Sequence, residues 1–325
     1  MSFSGDLCVT EEEVRESGKD TSRMLAAGAN RVFWIRVLHD KLDLGATAIK
    51  DLLTPGSVTV CESNSMRLVA EPDLFFIVRR TSTKKLKPSS LKVAPFADDV
   101  VEFDASQFQP SPERISFAFE HWTYKREATA IVMAGGQSRR MGCEKAMLPI
   151  EGEPMISRIV RQLRPWFDQV LISASAPDAF AFLGLEVVPD EVSGAGPLMA
   201  LASALEKSTH DINFVVPCDM PEVPQQLLAQ LLRESRDADI VVPETEGGEL
   251  EPLFAAYRRS VLPSARAALA RGERRVISCF GGHKVKRLPL QPGTLLNNLN
   301  TMEEYLSRTN RSVTNSSMKT HKSVL

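Results

Sequence analysis

The sequence predicts an α/β protein whose larger domain is a doubly wound, mostly parallel sheet. Three observations lead there. Apolar runs of strand length recur at 130–133, 170–173, 212–217 and 240–242, and runs without polar alternation suit strands buried on both faces. Segments of helical period separate them, the pattern of a sheet with helices on both sides. Several runs are followed at once by strings of Gly, Pro and Asp, at the strand ends where open α/β sheets hold their ligands. A shorter alternation before residue 107 predicts an additional, partial α/β domain.

In that first domain, residues 1–106, helices are expected at 21–29 and 42–53, the latter closed by Pro55-Gly56. Strands are expected at 32–38, 58–61, 74–78 and 99–103, and the alternation predicts a parallel layer. Residues 107–127, with Pro110, Pro112, Phe117, Phe119, Trp122 and Tyr124, read as a linker with one helical turn packed by its aromatics. The second domain, 128–306, opens with the 130–133 strand and a strand-like 147–150. Gly152-Glu153-Pro154 then starts a helix with proline in its first turn. Ile156, Ile159, Val160 and Leu163 fall at i, i+3, i+4 and i+7, a core-facing stripe. Strands at 170–173, 186–189, 212–217, 240–242 and 253–257, and helices at 197–205, 224–232 and 261–270, complete the reading. Residues 307–325 are polar and mildly basic and read as a disordered tail.

A chain of 325 residues has room for two cores. Its 43% hydrophobic and 25% charged composition is that of a soluble globular protein. A net charge of -2 gives no global nucleic-acid or membrane signal, so any attraction for phosphate must be local. Five scattered cysteines without C-x-x-C argue against zinc and against a disulfide framework. With no leader-like N-terminus and no 18-residue apolar run, the chain reads as cytoplasmic.

The most specific string is Ala134-Gly135-Gly136-Gln137-Ser138-Arg139-Arg140-Met141-Gly142-Cys143-Glu144-Lys145. Glycines directly after a buried strand let backbone approach a ligand closely. Successive N–H groups, with Arg139, Arg140 and Lys145, suit a polyphosphate. The spacing is neither that of a Walker A loop nor G-x-G-x-x-G. On this string the chain, over roughly 129–306, resembles the nucleotidyltransferases that activate phosphorylated small molecules, most closely the molybdenum cofactor guanylyltransferases.

The resemblance implies a Rossmann-like nucleotidyltransferase fold, with GTP as donor, molybdopterin carrying molybdenum as acceptor, and Mg²⁺. The products would be the guanine dinucleotide cofactor and pyrophosphate, and molybdopterin-insertion proteins or molybdoenzymes would be partners. It makes Lys145, Arg139 and Asp219 catalytic. Nucleotide would be held by Met133, Ala134, Gly135, Gly136, Lys145, Ser173, Asp190 and Asp219. Asp219, in Pro217-Cys218-Asp219-Met220-Pro221, is the implied metal ligand; on the residues alone it could equally cap a turn. Asp190 has the same two readings, and Cys218 reads as a packing residue. Gly196, Pro197, Leu198, Asn298, Asn300 and Arg274 are assigned to the pterin substrate, with a solvated helix end as the other reading of Arg274. Ser173 is a departure: the family's guanylyltransferases often carry asparagine after this strand, which leaves cytidylyl transfer as an alternative. Transfer to another phosphorylated small molecule, and a non-catalytic nucleotide-binding carrier of the cofactor, are the remaining rivals.

Upstream, Gly18-Lys19-Asp20-Thr21 and the 61–65 string resemble the later half of the P-loop adaptor of the same pathway. No Walker A loop precedes them. Either this domain has lost nucleotide binding and serves as an interaction surface, or the start codon is misplaced and a first strand and loop are missing.

Overall fold

The computed structural model describes residues 5–54, 56–82, 86–104, 108–109, 111–118, 121–135, 145–290, 296, 299 and 303–307. The chain divides into two compact units, Met1–Ser111 and Pro112–Leu325.

The C-terminal unit is built on a seven-stranded sheet among the described residues. Its strands are β1 (Arg126–Met133), β2 (Phe167–Ser173), β3 (Glu186–Val188), β4 (Ile212–Pro217), β5 (Ile240–Glu244), β6 (Ala255–Arg258) and β7 (Val285–Pro289). The spatial order is β3-β2-β1-β4-β6-β5-β7, with β6 antiparallel to both neighbours and every other pairing parallel. From β1 the chain moves out through β2 to β3, then returns to place β4 on the other side of β1. The two strands therefore flank a topological switch point, whose carboxyl edge opens as a crevice in this kind of sheet.

Four helices, α1 (Met155–Leu163), α2 (Pro197–Lys207), α3 (Gln225–Glu234) and α4 (Leu262–Ala270), cover the sheet. Side chains of α1 and α3 join one core with Ala130 and Val132. Those of α2 and α4 join another with Ile131 and Met133. Alternate residues of β1 thus enter opposite cores, which is why its sequence is continuously apolar. Phe214 on β4 stacks on Phe167, centroids 5.8 Å apart, and meets Phe254 edge-on at 5.0 Å. The stripe on α1 is buried as expected: Ile156, Ile159 and Leu163 are fully inaccessible.

Several local expectations change. Glu153–Pro154 pairs antiparallel with Pro149–Ile150 as a two-residue hairpin, so α1 begins at Met155 with Pro154 as its N-cap. Strand β7 is additional. The prolines of 107–127 predict a linker, but the stretch holds a 3-10 turn (Pro112–Arg114) and a hairpin of Ile115–Ala118 with His121–Tyr124. Phe117 faces Trp122 across it at 5.5 Å.

In the N-terminal unit, Leu7–Glu11 pairs antiparallel with Phe33–Val37, where a parallel layer is expected. Phe76–Arg80 does run parallel to Asp99–Phe103, and Phe108–Gln109 adds an antiparallel strand. The 58–61 run is not a strand: it has no pairing partner, and Val58 and Val60 are 64% and 86% exposed. β-branched residues favour a strand only where a neighbour pairs with them. The helix Asp20–Ala26 has Lys19 at its N-cap and no side-chain cap, while Thr21 donates to Glu12 at 2.8 Å. Among the described residues, no helix is long and apolar enough to cross a membrane.

Candidate active site

The carboxyl edge of the sheet gathers the sequence-predicted residues by register. Met133, last in β1, is paired with Ser173 on β2 and with Pro217 on β4. Beyond the ladders the backbones stay joined: Ala134 N–H donates to Ser173 O at 2.8 Å, and Cys218 N–H to Met133 O at 3.0 Å. Gly135 follows, where an added Cβ would make only ordinary contact with Ser173 O, at 3.9 Å. Asp190 stands two residues past β3 and Asp219 two past β4, so both carboxylates leave the same edge.

Lys145, at the start of a 3-10 turn (Lys145–Met147), places Nζ 3.4 Å from Asp219 Oδ2. The two side chains are only 18% and 19% exposed. The Asp219 carboxylate faces the lysine, and α3 has no side-chain cap. A charge-assisted contact in good geometry is about 2.7–2.9 Å. At 3.4 Å the Lys145–Asp219 contact is longer than that.

Among the described residues, three buried oxygens at this edge have no hydrogen-bond partner: Asp219 Oδ1, Asp190 Oδ1 and Ser173 Oγ. Buried polar atoms are normally satisfied, so an unsatisfied group set at a crevice fits a ligand atom or a cation. Burial raises the Asp190 carboxyl from its ordinary value. The sign follows from proton counting: the folded state holds its proton to higher pH than the unfolded chain does. The stability contribution is therefore fully present below the unfolded value and lost as pH rises through the folded one. Asp190→Asn is expected to raise Tm at neutral pH, to flatten the pH dependence of stability just above the ordinary carboxylate range, and to weaken nucleotide binding. Thermal melts from pH 3 to 7 alongside a nucleotide titration check this; a lowered Tm at pH 7 would contradict it.

A second group forms around the start of α2. Gly196 adopts φ +92° and lies so near Arg274 that an added Cβ would come within 3.1 Å of the Arg274 Cβ. Leu198 N–H donates to Arg274 O at 3.2 Å. The structure thereby joins Gly196, Pro197 and Leu198, on a helix N-terminus of positive potential, to the expected arginine. Arg274 is exposed, while Arg271 is paired with Glu273 at 2.9 Å.

Gly136, Arg139, Asn298 and Asn300 lie outside the described residues. Leu299, between the two asparagines in sequence, donates its N–H to Asp219 O at 2.8 Å. Cys218 is half-buried and packs against the α1/α3 core, as read.

The model of the MobA-like NTP transferase domain matches residues 130–287, the stretch that carries this edge. A protein of Carboxydothermus hydrogenoformans named "Probable molybdenum cofactor guanylyltransferase" is 34% identical over 184 residues, covering 54% of this chain and 92% of that protein. The chain belongs to the molybdenum cofactor guanylyltransferase family of MobA-like nucleotidyltransferases. A Shewanella putrefaciens molybdenum cofactor guanylyltransferase is 32% identical over 182 residues, again 54% of this chain and 92% of the relative. The solved structure of molybdopterin-guanine dinucleotide biosynthesis protein A from Archaeoglobus fulgidus shares the fold, with a TM-score of 0.50, 22% identity, and coverage of 57% of this chain and 99% of that one. The family match lies wholly within the C-terminal unit.

Two residues of this guanylyltransferase-family domain escape a sequence reading. Arg158 and Gln162 of α1 bind the loop that follows Asp219, Arg158 Nε reaching Pro221 O at 3.2 Å and Gln162 Nε2 the same oxygen at 3.0 Å. Their only sequence signal is polarity within an otherwise core-facing helix.

Proposed function

We propose that the chain transfers GMP from GTP to the terminal phosphate of molybdenum-molybdopterin, releasing pyrophosphate. The observation that carries the reading is the Lys145–Asp219 pair at the switch-point edge, with the buried Asp219 Oδ1 left unpartnered. In the reaction a pterin phosphate oxygen attacks the α-phosphorus of GTP, a new P–O bond forms, and the bond from the α-phosphorus to the bridging oxygen of pyrophosphate breaks. The attacking oxygen is already ionised, so no general base is needed, and the protein's work is positioning and charge neutralisation.

Lys145 leaves Asp219 for the phosphates and offsets the charge that builds on the leaving pyrophosphate. Met133, Ala134, Gly135 and Gly136 hold the nucleotide by backbone, Arg139 neutralises phosphate charge, and Asp190 and Ser173 contact the nucleoside. Gly196, Pro197, Leu198, Arg274, Asn298 and Asn300 take the pterin side.

Asp219 would hold Mg²⁺: its inner oxygen is buried and lacks a hydrogen-bond donor, as a metal ligand requires. Among the described residues no cage of three or more His, Cys, Asp or Glu exists, which suits one carboxylate with waters and substrate phosphates completing the shell. When bound, the cation neutralises phosphate charge.

We read the protein as cytoplasmic, passing its product to molybdoenzymes, and the N-terminal unit as an adaptor-like interaction domain. One observation favours a second reading. Where the family often carries a nucleotide-contacting asparagine the chain has Ser173, whose Oγ is buried and, among the described residues, unpartnered, so cytidylyl transfer is the alternative. Pyrophosphate release with GTP, CTP and ATP separates the two: GTP is expected to be selected, and selection of CTP would replace guanylyl by cytidylyl transfer.

A further inference from the structure

We propose that Gln162 is a positioning residue that sets the aim of the Asp219 carboxylate by clamping the loop behind it. The inference rests on the reading of Asp219 as metal ligand given above. The loop Met220-Pro221-Glu222-Val223 returns from the carboxyl edge into the core, with Met220 and Val223 buried to 1% and 4% exposure. Buried backbone groups need partners, and this loop has no strand or helix to supply them. Gln162, itself 6% exposed, supplies both kinds from one planar amide. Its Nε2 donates to Pro221 O at 3.0 Å, and its Oε1 accepts from Val223 N–H at 3.0 Å. The amide is fixed on its own helix by a further bond from Nε2 to Arg158 O at 3.1 Å.

Further constraints on this turn act one residue before Asp219 and at it. Cys218 N–H is tied to β1 and Asp219 O to Leu299 N–H. Those bonds fix where the loop begins, and Gln162 fixes where it returns, so the Asp219 side chain is held from both sides. Arg158 assists at Pro221 O but is also paired with Glu151 at 2.8 Å and reaches Glu222 at 3.7 Å. Among the described residues, only the glutamine accepts from the Val223 N–H. Outer partners that orient a metal-ligating carboxylate govern affinity at a distance, and their loss typically costs 10–100-fold in metal affinity.

The test uses the full-length protein with GTP and Mn²⁺ as a spectroscopic probe, free Mn²⁺ being counted by electron paramagnetic resonance. Gln162→Met keeps the volume and removes both bonds. Gln162→Glu keeps the acceptor for Val223 and loses the donor to Pro221. Mn²⁺ affinity in the presence of GTP is expected to fall about tenfold or more in Gln162→Met and by less in Gln162→Glu. Amide exchange at Val223 should rise in parallel, while GTP affinity without metal stays as in the parent. If Gln162→Met does not fold, Gln162→Glu decides alone. Unchanged Mn²⁺ affinity in a folded variant would overturn the proposal. Asp219→Ala, measured alongside, keeps the two levels apart. If it still binds Mn²⁺ with GTP as the parent does, the metal assignment itself is wrong. If it loses Mn²⁺ while the Gln162 variants do not, only the positioning role falls.

Discussion

Replacing Lys145 by alanine is expected to lower the rate of GMP transfer by about 10²–10³-fold and to change Tm by no more than about 4 °C. The two halves of that result have separate causes. In the structure the lysine's contact is a carboxylate 3.4 Å away. A partly exposed ion pair of this kind contributes about 1 kcal/mol or less to stability. On the proposed function its value lies in the transition state, where negative charge passes to pyrophosphate inside a partly water-excluded edge. Lys145→Arg should restore little, since a planar guanidinium does not occupy the position of a compact ammonium. Steady-state kinetics and a thermal melt on each variant read both halves. A rate within threefold of the parent would remove Lys145 from the chemistry.

The second large effect belongs to Asp219. Asp219→Ala and Asp219→Asn are expected to lower turnover at least as far, about 10²-fold or more, together with loss of metal binding. Stability should hold or rise. Among the described residues Oδ1 is buried without a partner, so on the proposed function this oxygen is kept for the metal and not for stability. A lowered rate with a raised Tm is the signature of a functional site; a large fall in Tm would mark Asp219 as structural. Divalent-cation titration of the residual activity completes the test, because a variant with unchanged metal dependence would place the ligand elsewhere.

How much of this could be read from the sequence follows from where each element sits. The central strand β1 was legible because both its faces are buried, so Ala130, Ile131, Val132 and Met133 form an unbroken apolar run. The α1 stripe was legible because one face of that helix meets the core at helical spacing. Strand β7 was not, since it lies at the sheet edge and only Leu288 of its five residues is buried. Its lysine and arginine conceal the pattern. The hairpin at 115–124 was hidden by its short strands and the neighbouring prolines. In the N-terminal unit, Leu7–Glu11 runs into three glutamates and Val58 and Val60 form no ladder, so local propensity misjudged both segments.

The site divides in the same way. Asp219, Asp190 and Ser173 were legible because each ends or closely follows an apolar run. The pairing of Lys145 with Asp219 spans 74 positions and required the fold. So did the contact of Gly196 with Arg274, for which the sequence offers only two separate strings. Gln162 was invisible: its meaning depends on a loop 59 residues away that needs one donor and one acceptor at fixed separation.

The central claim is group transfer, and the most direct measurement follows the α-phosphorus. The full-length protein is incubated with Mg²⁺, molybdenum-molybdopterin and GTP labelled at the α-phosphate, and products are separated and counted. The account predicts label in a pterin guanine dinucleotide, one pyrophosphate released for each, and neither product when the pterin is omitted. Label that stays in GTP while the nucleotide binds would contradict it and leave a carrier of nucleotide in place of an enzyme.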